Sequence, residues 1–119
     1  MDLLPKDILD QLAANGQANQ SRIEAGDDTI DHAPVVKLFT PDGGATWLLS
    51  ETEPDDPDIA FGLCDLGLGF PELGSVRISV LLAHRGRLGL PIERDLHFNA
   101  NGPLSQYADR AREVGGIVT

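Results

Sequence analysis

Basic residues are what this sequence has least of: nine lysines and arginines stand against nineteen aspartates and glutamates, a formal net charge of −10 at neutral pH. Such a surface repels a phosphate backbone at long range, so direct nucleic-acid binding is not expected. A single cysteine, Cys64, excludes an intramolecular disulfide and the multi-cysteine zinc patterns. No apolar run approaches the ~20 residues of a membrane span. The opening "MDLLPKDILDQL" is acidic and carries no apolar stretch of export-signal length. The expectation is a soluble, cytoplasmic protein with no membrane contact.

What is present is ordinary globular material. The 119 residues, 41% hydrophobic and 24% charged, suit one domain over 1–119 that buries a core without metal or disulfide staples. Pro5, suited to the first helical position, and Leu4, Ile8, Leu9 and Leu12 at helical spacing predict an N-terminal helix. It either stops at Asn15-Gly16 or runs on to Gly26. "VVKLF" reads as a strand, and "TPDGG" as a hairpin turn with a glycine in the left-handed region, leading to a second strand over Ala45–Glu51. The acidic "ETEPDDPD" would end that strand as a loop. "IAFGLCD" would form a third strand with Ile59, Phe61 and Leu63 on one face and Cys64 on the other. "VRISVLLAHR" reads as a strand over Val76–Ile78 and then a short helix capped by Ser79 and stopped by Gly86. "LPIERDLHF" predicts a strand with Ile92, Leu96 and Phe98 inward. A last helix from Pro103 or Ser105 puts Leu104, Tyr107, Ala111 and Val114 on one side and stops at Gly115-Gly116.

The glycine-rich "CDLGLGFPELGSV" invites a phosphate-loop reading, and its residues refuse it. Glu72 stands where a dinucleotide fingerprint needs its third glycine, Pro71 removes a backbone donor, and no lysine follows Gly74. It reads as a turn. Glu93, Asp95 and His97 alternate on the outer face of their strand, the spacing at which two side chains can converge on a metal or act as an acid–base pair. Polar residues on a wet strand face are equally the ordinary pattern, so no catalytic or metal residue and no cofactor is assigned. His32 and His84 complete no site and read as surface residues. Cys64 reads as a small core residue, since an adjacent Asp65 disfavours a thiolate. Arg85, Arg87 and Arg94 read as partners of the protein's own surplus acids.

The segments "PVVKLFTPDGGATWLLSE", "DPDIAFGLCDLGLGFPELGSV" and "LGLPIERDLHF" resemble a domain-of-unknown-function family of small acidic bacterial proteins often found on plasmids and mobile elements. The resemblance covers nearly the whole chain and implies no established activity, cofactor or catalytic residue. The chain departs from that pattern at "RISVLLAHR", which makes Val80 to Leu82 a candidate partner contact.

The fold expected is α+β: an antiparallel sheet of four to five strands with the N- and C-terminal helices packed on it. The function expected is a non-catalytic binding or accessory protein that contacts another protein. Residues 42–76 hold eight carboxylates and no lysine or arginine; among them Glu51, Glu53, Asp55, Asp56 and Asp58 form the candidate acidic interaction surface. Two alternatives stand beside it: a DNA-mimic decoy against host-defence enzymes, presenting those carboxylates, and a hydrolase or metal-dependent enzyme using Glu93, Asp95 and His97.

Overall fold

Val36–Phe39 (β1) and Thr46–Glu53 (β2) pair antiparallel with Leu38 opposite Trp47, the hairpin that the turn "TPDGG" announces. The structure is a computed structural model and describes residues 2–119. Neither Gly43 nor Gly44 adopts the left-handed conformation, which corrects that expectation. Thr40 closes the turn instead. Its hydroxyl accepts the Ala45 N–H at 2.9 Å, and its own N–H donates to the Ala45 carbonyl at 3.0 Å. A four-residue connection can use ordinary backbone angles where a two-residue one cannot.

Asp56–Asp65 (β3) pairs with β2, and Glu72–Arg77 (β4) pairs with β3, so the acidic run is not a loop after a strand but the β2–β3 hairpin itself. Only Pro54 and Asp55 lie in its turn. The glycine-rich stretch is the β3–β4 turn followed directly by β4, which begins four residues earlier than its hydrophobic pattern suggests. Gly67 sits at φ 79°, and a β-carbon there would meet the Gly44 carbonyl oxygen at 2.9 Å, so both backbone angle and space require glycine. Ile78–Ala83 (α2) follows β4 and ends at Ala83, ahead of Gly86, where His84 turns extended. Glu93–Arg94 (β5) adds to the far side of β1, giving the order β4-β3-β2-β1-β5 with every neighbour antiparallel. The α+β prediction holds.

The two terminal helices cover opposite faces. Lys6–Glu24 (α1) contributes Leu4, from just before its start, and Leu12 to a core with Val36, Leu38, Trp47, Leu49, Ala60, Ile78, Leu81 and Ile92. Leu104–Val114 (α3) contributes Leu104, Tyr107, Ala108 and Ala111 to a second core with Leu48 and Leu63. Successive strand residues point to opposite faces, so Leu48 and Leu49 serve different cores. Val114, expected on the packed side of α3, is 54% exposed, because Ala108 rather than Val114 completes the stripe.

The N-terminal helix takes the longer of its two predicted courses. Asn15 and Gly16 do not end it; with Leu12 and Asn19 they form its buried stripe against β2. Asn15 Nδ2 donates to the Ser50 carbonyl at 2.9 Å, and the missing side chain at Gly16 lets the helix rest on the Thr52 backbone. Beyond α1, the segment 27–35 returns along the sheet to β1, and its Asp31 accepts from the Ser105 N–H at 3.2 Å and from the Ser105 hydroxyl. The first turn of α3, which has no cap of its own, is thereby capped from 74 residues away.

Candidate functional site

The five carboxylates of the acidic run divide into two sets. Arg77, on β4 opposite Ile59, reaches Asp56 at 3.2 Å and Asp58 at 3.6 Å. Asp58 also accepts from the Ser79 hydroxyl at 2.7 Å and the Ser79 N–H at 2.9 Å, which fastens the first turn of α2 to the sheet. Ser79 was expected to be the cap of this helix; it is the residue that Asp58 holds. These bonds, the Ser79 hydroxyl foremost, keep the Asp58 carboxyl below its ordinary range, with Arg77 adding less. Asp56 and Asp58 are thus structural.

Because its folded-state value is depressed, Asp58 contributes stability above its unfolded-state value, and that contribution is lost as pH falls through the folded one. Asp58→Asn is expected to lower the melting temperature at pH 7, with the gap to the parent closing below about pH 4. Melts of both proteins from pH 7 to 2 check this. A gap unchanged across that range would remove the charge of Asp58 from the account.

Glu51, Glu53 and Asp55 form the second set and have no cationic partner within 4 Å among the described residues. They edge a cleft of about 680 Å³ between the end of α1, residues 29–32 and the β2–β3 hairpin. Ile23, Ile30, Phe61 and Leu73 supply its apolar surface, and its lining includes no lysine or arginine. Glu51 is held in place: Asn19 Nδ2 donates to its Oε1 at 2.9 Å. Asn19, itself buried, is in turn fixed by the Ile30 N–H, donating to its Oδ1 at 2.6 Å. His32 lines the same cleft, and its Nε2 is buried with no hydrogen-bond partner among the described residues. His32 as a whole is half-buried at the cleft, and its carbonyl accepts the Leu104 N–H at 2.9 Å. His84 is exposed, as expected.

The second predicted face, Glu93, Asp95 and His97, does not exist as a strand face. Only Glu93 and Arg94 pair with β1, and the chain then turns over 96–97. Asp95 makes that turn by accepting the His97 N–H at 2.9 Å and faces Lys37 at 3.5 Å. Chiefly through the His97 N–H, its carboxyl lies below the ordinary range, with Lys37 adding less. Leu96, expected inward, is 61% exposed for the same reason. Asp95 and His97 border a hollow with Tyr107 and Arg110, whereas Glu93 borders a different one with Leu82, Arg85 and Arg94. The three are not brought together. Cys64 packs toward the α1 core, and its burial raises the thiol.

A third surface escaped the sequence reading. Asp42 Oδ2 accepts the Leu88 N–H at 2.8 Å, which lays the loop 86–90 against the β1–β2 turn. On the other side of that turn Gly67 rests on Gly44. The two flanking loops present Leu68 at 72%, Phe70 at 79% and Leu88 at 79% exposure, with Leu66 and Leu90 beside them. Of the candidate contact Val80 to Leu82 on α2, Val80 and Leu82 are exposed, whereas Leu81 between them is buried in the α1 core. Arg85 donates only to the carbonyls of Leu82 and His84. Arg94 donates to those of Asp2 and Leu3. Arg85, Arg87 and Arg94 therefore lack carboxylate partners within 4 Å among the described residues, contrary to the pairing expected of them. The missed signal was the alternation of leucine with glycine in "DLGLGF" and "RLGLP". It reads as turn chemistry, and nothing local says that both turns meet at one end.

Among known proteins, one family matches residues 3–118, described as "Protein of unknown function (DUF2958)". No curated protein and no solved structure matches the chain.

Proposed function

The chain belongs to this family of proteins of unknown function, and from that premise we propose that it is a non-catalytic accessory protein that docks on another protein through the loop end around Leu68, Phe70 and Leu88. The exposure of those three side chains is the observation that carries the reading. Burying a side chain of that size is worth about 1.5–3 kcal/mol, so three of them left in water on the loops flanking one turn are a reservoir of binding free energy. Arg85 and Arg87 stand near this end without carboxylates of their own, which fits a partner whose apolar patch has an acidic rim. The decoy alternative has less support, since Asp56 and Asp58 spend their charge on Arg77 and Ser79. The hydrolase alternative has less again, since Glu93 lies apart from Asp95 and His97.

The triple variant Leu68→Ser, Phe70→Ser, Leu88→Ser is expected to melt close to the parent, because surface changes of this kind cost little. A partner captured from the native host by the parent, identified and purified, is expected to bind the variant at least ~10-fold more weakly. Equal binding by parent and variant would overturn the reading. So would sedimentation showing that the parent associates with itself through this end.

A further inference from the structure

We propose a second, separate binding site: the cleft edged by Glu51, Glu53 and Asp55 takes a short basic segment of a partner protein, with an arginine or lysine set between apolar side chains. The volume of about 680 Å³ lies within the range of ligand pockets. Its chemistry is two-sided. Three carboxylates without cationic partners define one side, and a fourth, Asp31, is occupied with Ser105. Ile23, Ile30, Phe61 and Leu73 define the other. A lone cation would leave the apolar side wet, and an apolar ligand would leave the carboxylates unpaired; only a segment carrying both matches the whole lining.

Two features mark the cleft as more than an acidic surface. Glu51 is held by Asn19, whose amide is locked by both the N–H and the carbonyl of Ile30, so the carboxylate is positioned before any ligand arrives. His32 Nε2 is buried and unpartnered at the same cleft, and a buried polar atom in that condition calls for a partner. An inserted segment that turns the His32 ring toward the cleft supplies one through a backbone carbonyl or N–H. Neither feature depends on the exposed loop end, so this site stands or falls independently of the docking surface.

The test is a titration of the isotope-labelled protein with a pentapeptide alternating leucine and arginine, followed by NMR at low ionic strength. Saturable shifts confined to Asn19, Ile30, His32, Glu51 and Phe61 are expected, together with a shift of the His32 Nε2 resonance. Glu53→Gln with Asp55→Asn, both exposed and free of contacts that hold the fold, is expected to weaken binding at least ~10-fold, and adding Glu51→Gln to weaken it further. Asp7→Asn with Glu113→Gln removes the same charge elsewhere and is expected to change affinity less than about threefold. Equal losses in the two double variants would reduce the effect to net charge and overturn the site. Equal affinity for spermidine would make it a polyamine site instead. No saturable shift below about 1 mM peptide would also overturn it.

Discussion

Gly16→Ala is expected to destabilise the protein by about 3 kcal/mol, a large share of the stability of a domain this size. Intrinsic propensity argues the other way, since alanine is favoured over glycine in a helix interior by about 1 kcal/mol. Packing decides the sign. A β-carbon at Gly16 would lie 1.7 Å from the Thr52 carbonyl oxygen and 2.9 Å from its carbon, and both are backbone atoms of a central strand. The helix would have to lift off, stretching the Asn15 bond to Ser50 and the Asn19 bond to Glu51. Denaturant midpoints measure this, with Gly74→Ala as the control. That position has nothing within 4 Å of the new carbon and is expected to change by no more than about 0.5 kcal/mol. If both variants unfold alike, α1 does not rest on β2 in the way described.

The second large effect is expected at Leu63. It is fully buried in β3, lies between Leu48 and Leu73 in the sheet register, and joins the sheet to Tyr107, Ala108 and Ala111 of α3. Leu63→Ala is expected to cost about 3 kcal/mol, the removed side chain plus the cavity left beneath two alanines that cannot fill it. This second core is the smaller of the two, so hydrogen exchange is expected to quicken in α3 more than in α1. Leu9→Ala, on the exposed side of α1, is expected to cost less than about 1 kcal/mol. Uniform loss of protection in both helices would mean that the two cores open as one unit.

The strands and helices with strong local patterns were legible because their causes are local. "VVKLF" and "IAFGLCD" carry branched and aromatic residues at a period of two, and Leu104, Tyr107 and Ala111 recur at helical spacing. Asn15-Gly16 misleads because the same dipeptide that ends helices elsewhere here forms the flat, polar contact between α1 and β2. The strand over Glu93, Asp95 and His97 misleads for a related reason. Its alternation is real, but after Arg94 no neighbouring strand remains to accept the ladder, and Asp95 bonds back on its own chain.

Of the candidate acidic surface, the sequence located all five carboxylates and could not divide them. Which two face Arg77 and Ser79, and which three are left to edge a cleft, depends on the register of β3 against β4. The sequence by itself determined the acidity, the lack of a phosphate loop, the family and the α+β class, because each rests on residue type or on neighbours within a few positions. Tertiary structure alone decided that the loops carrying Leu68, Phe70 and Leu88 flank the same turn, that Asp42 holds the loop carrying Leu88, and that His32 and Glu51 line one cleft. Asp42 is 46 residues from Leu88, and Asn19 is 32 residues from Glu51. Bonds at such separations come from chain crossings that no short window of sequence encodes.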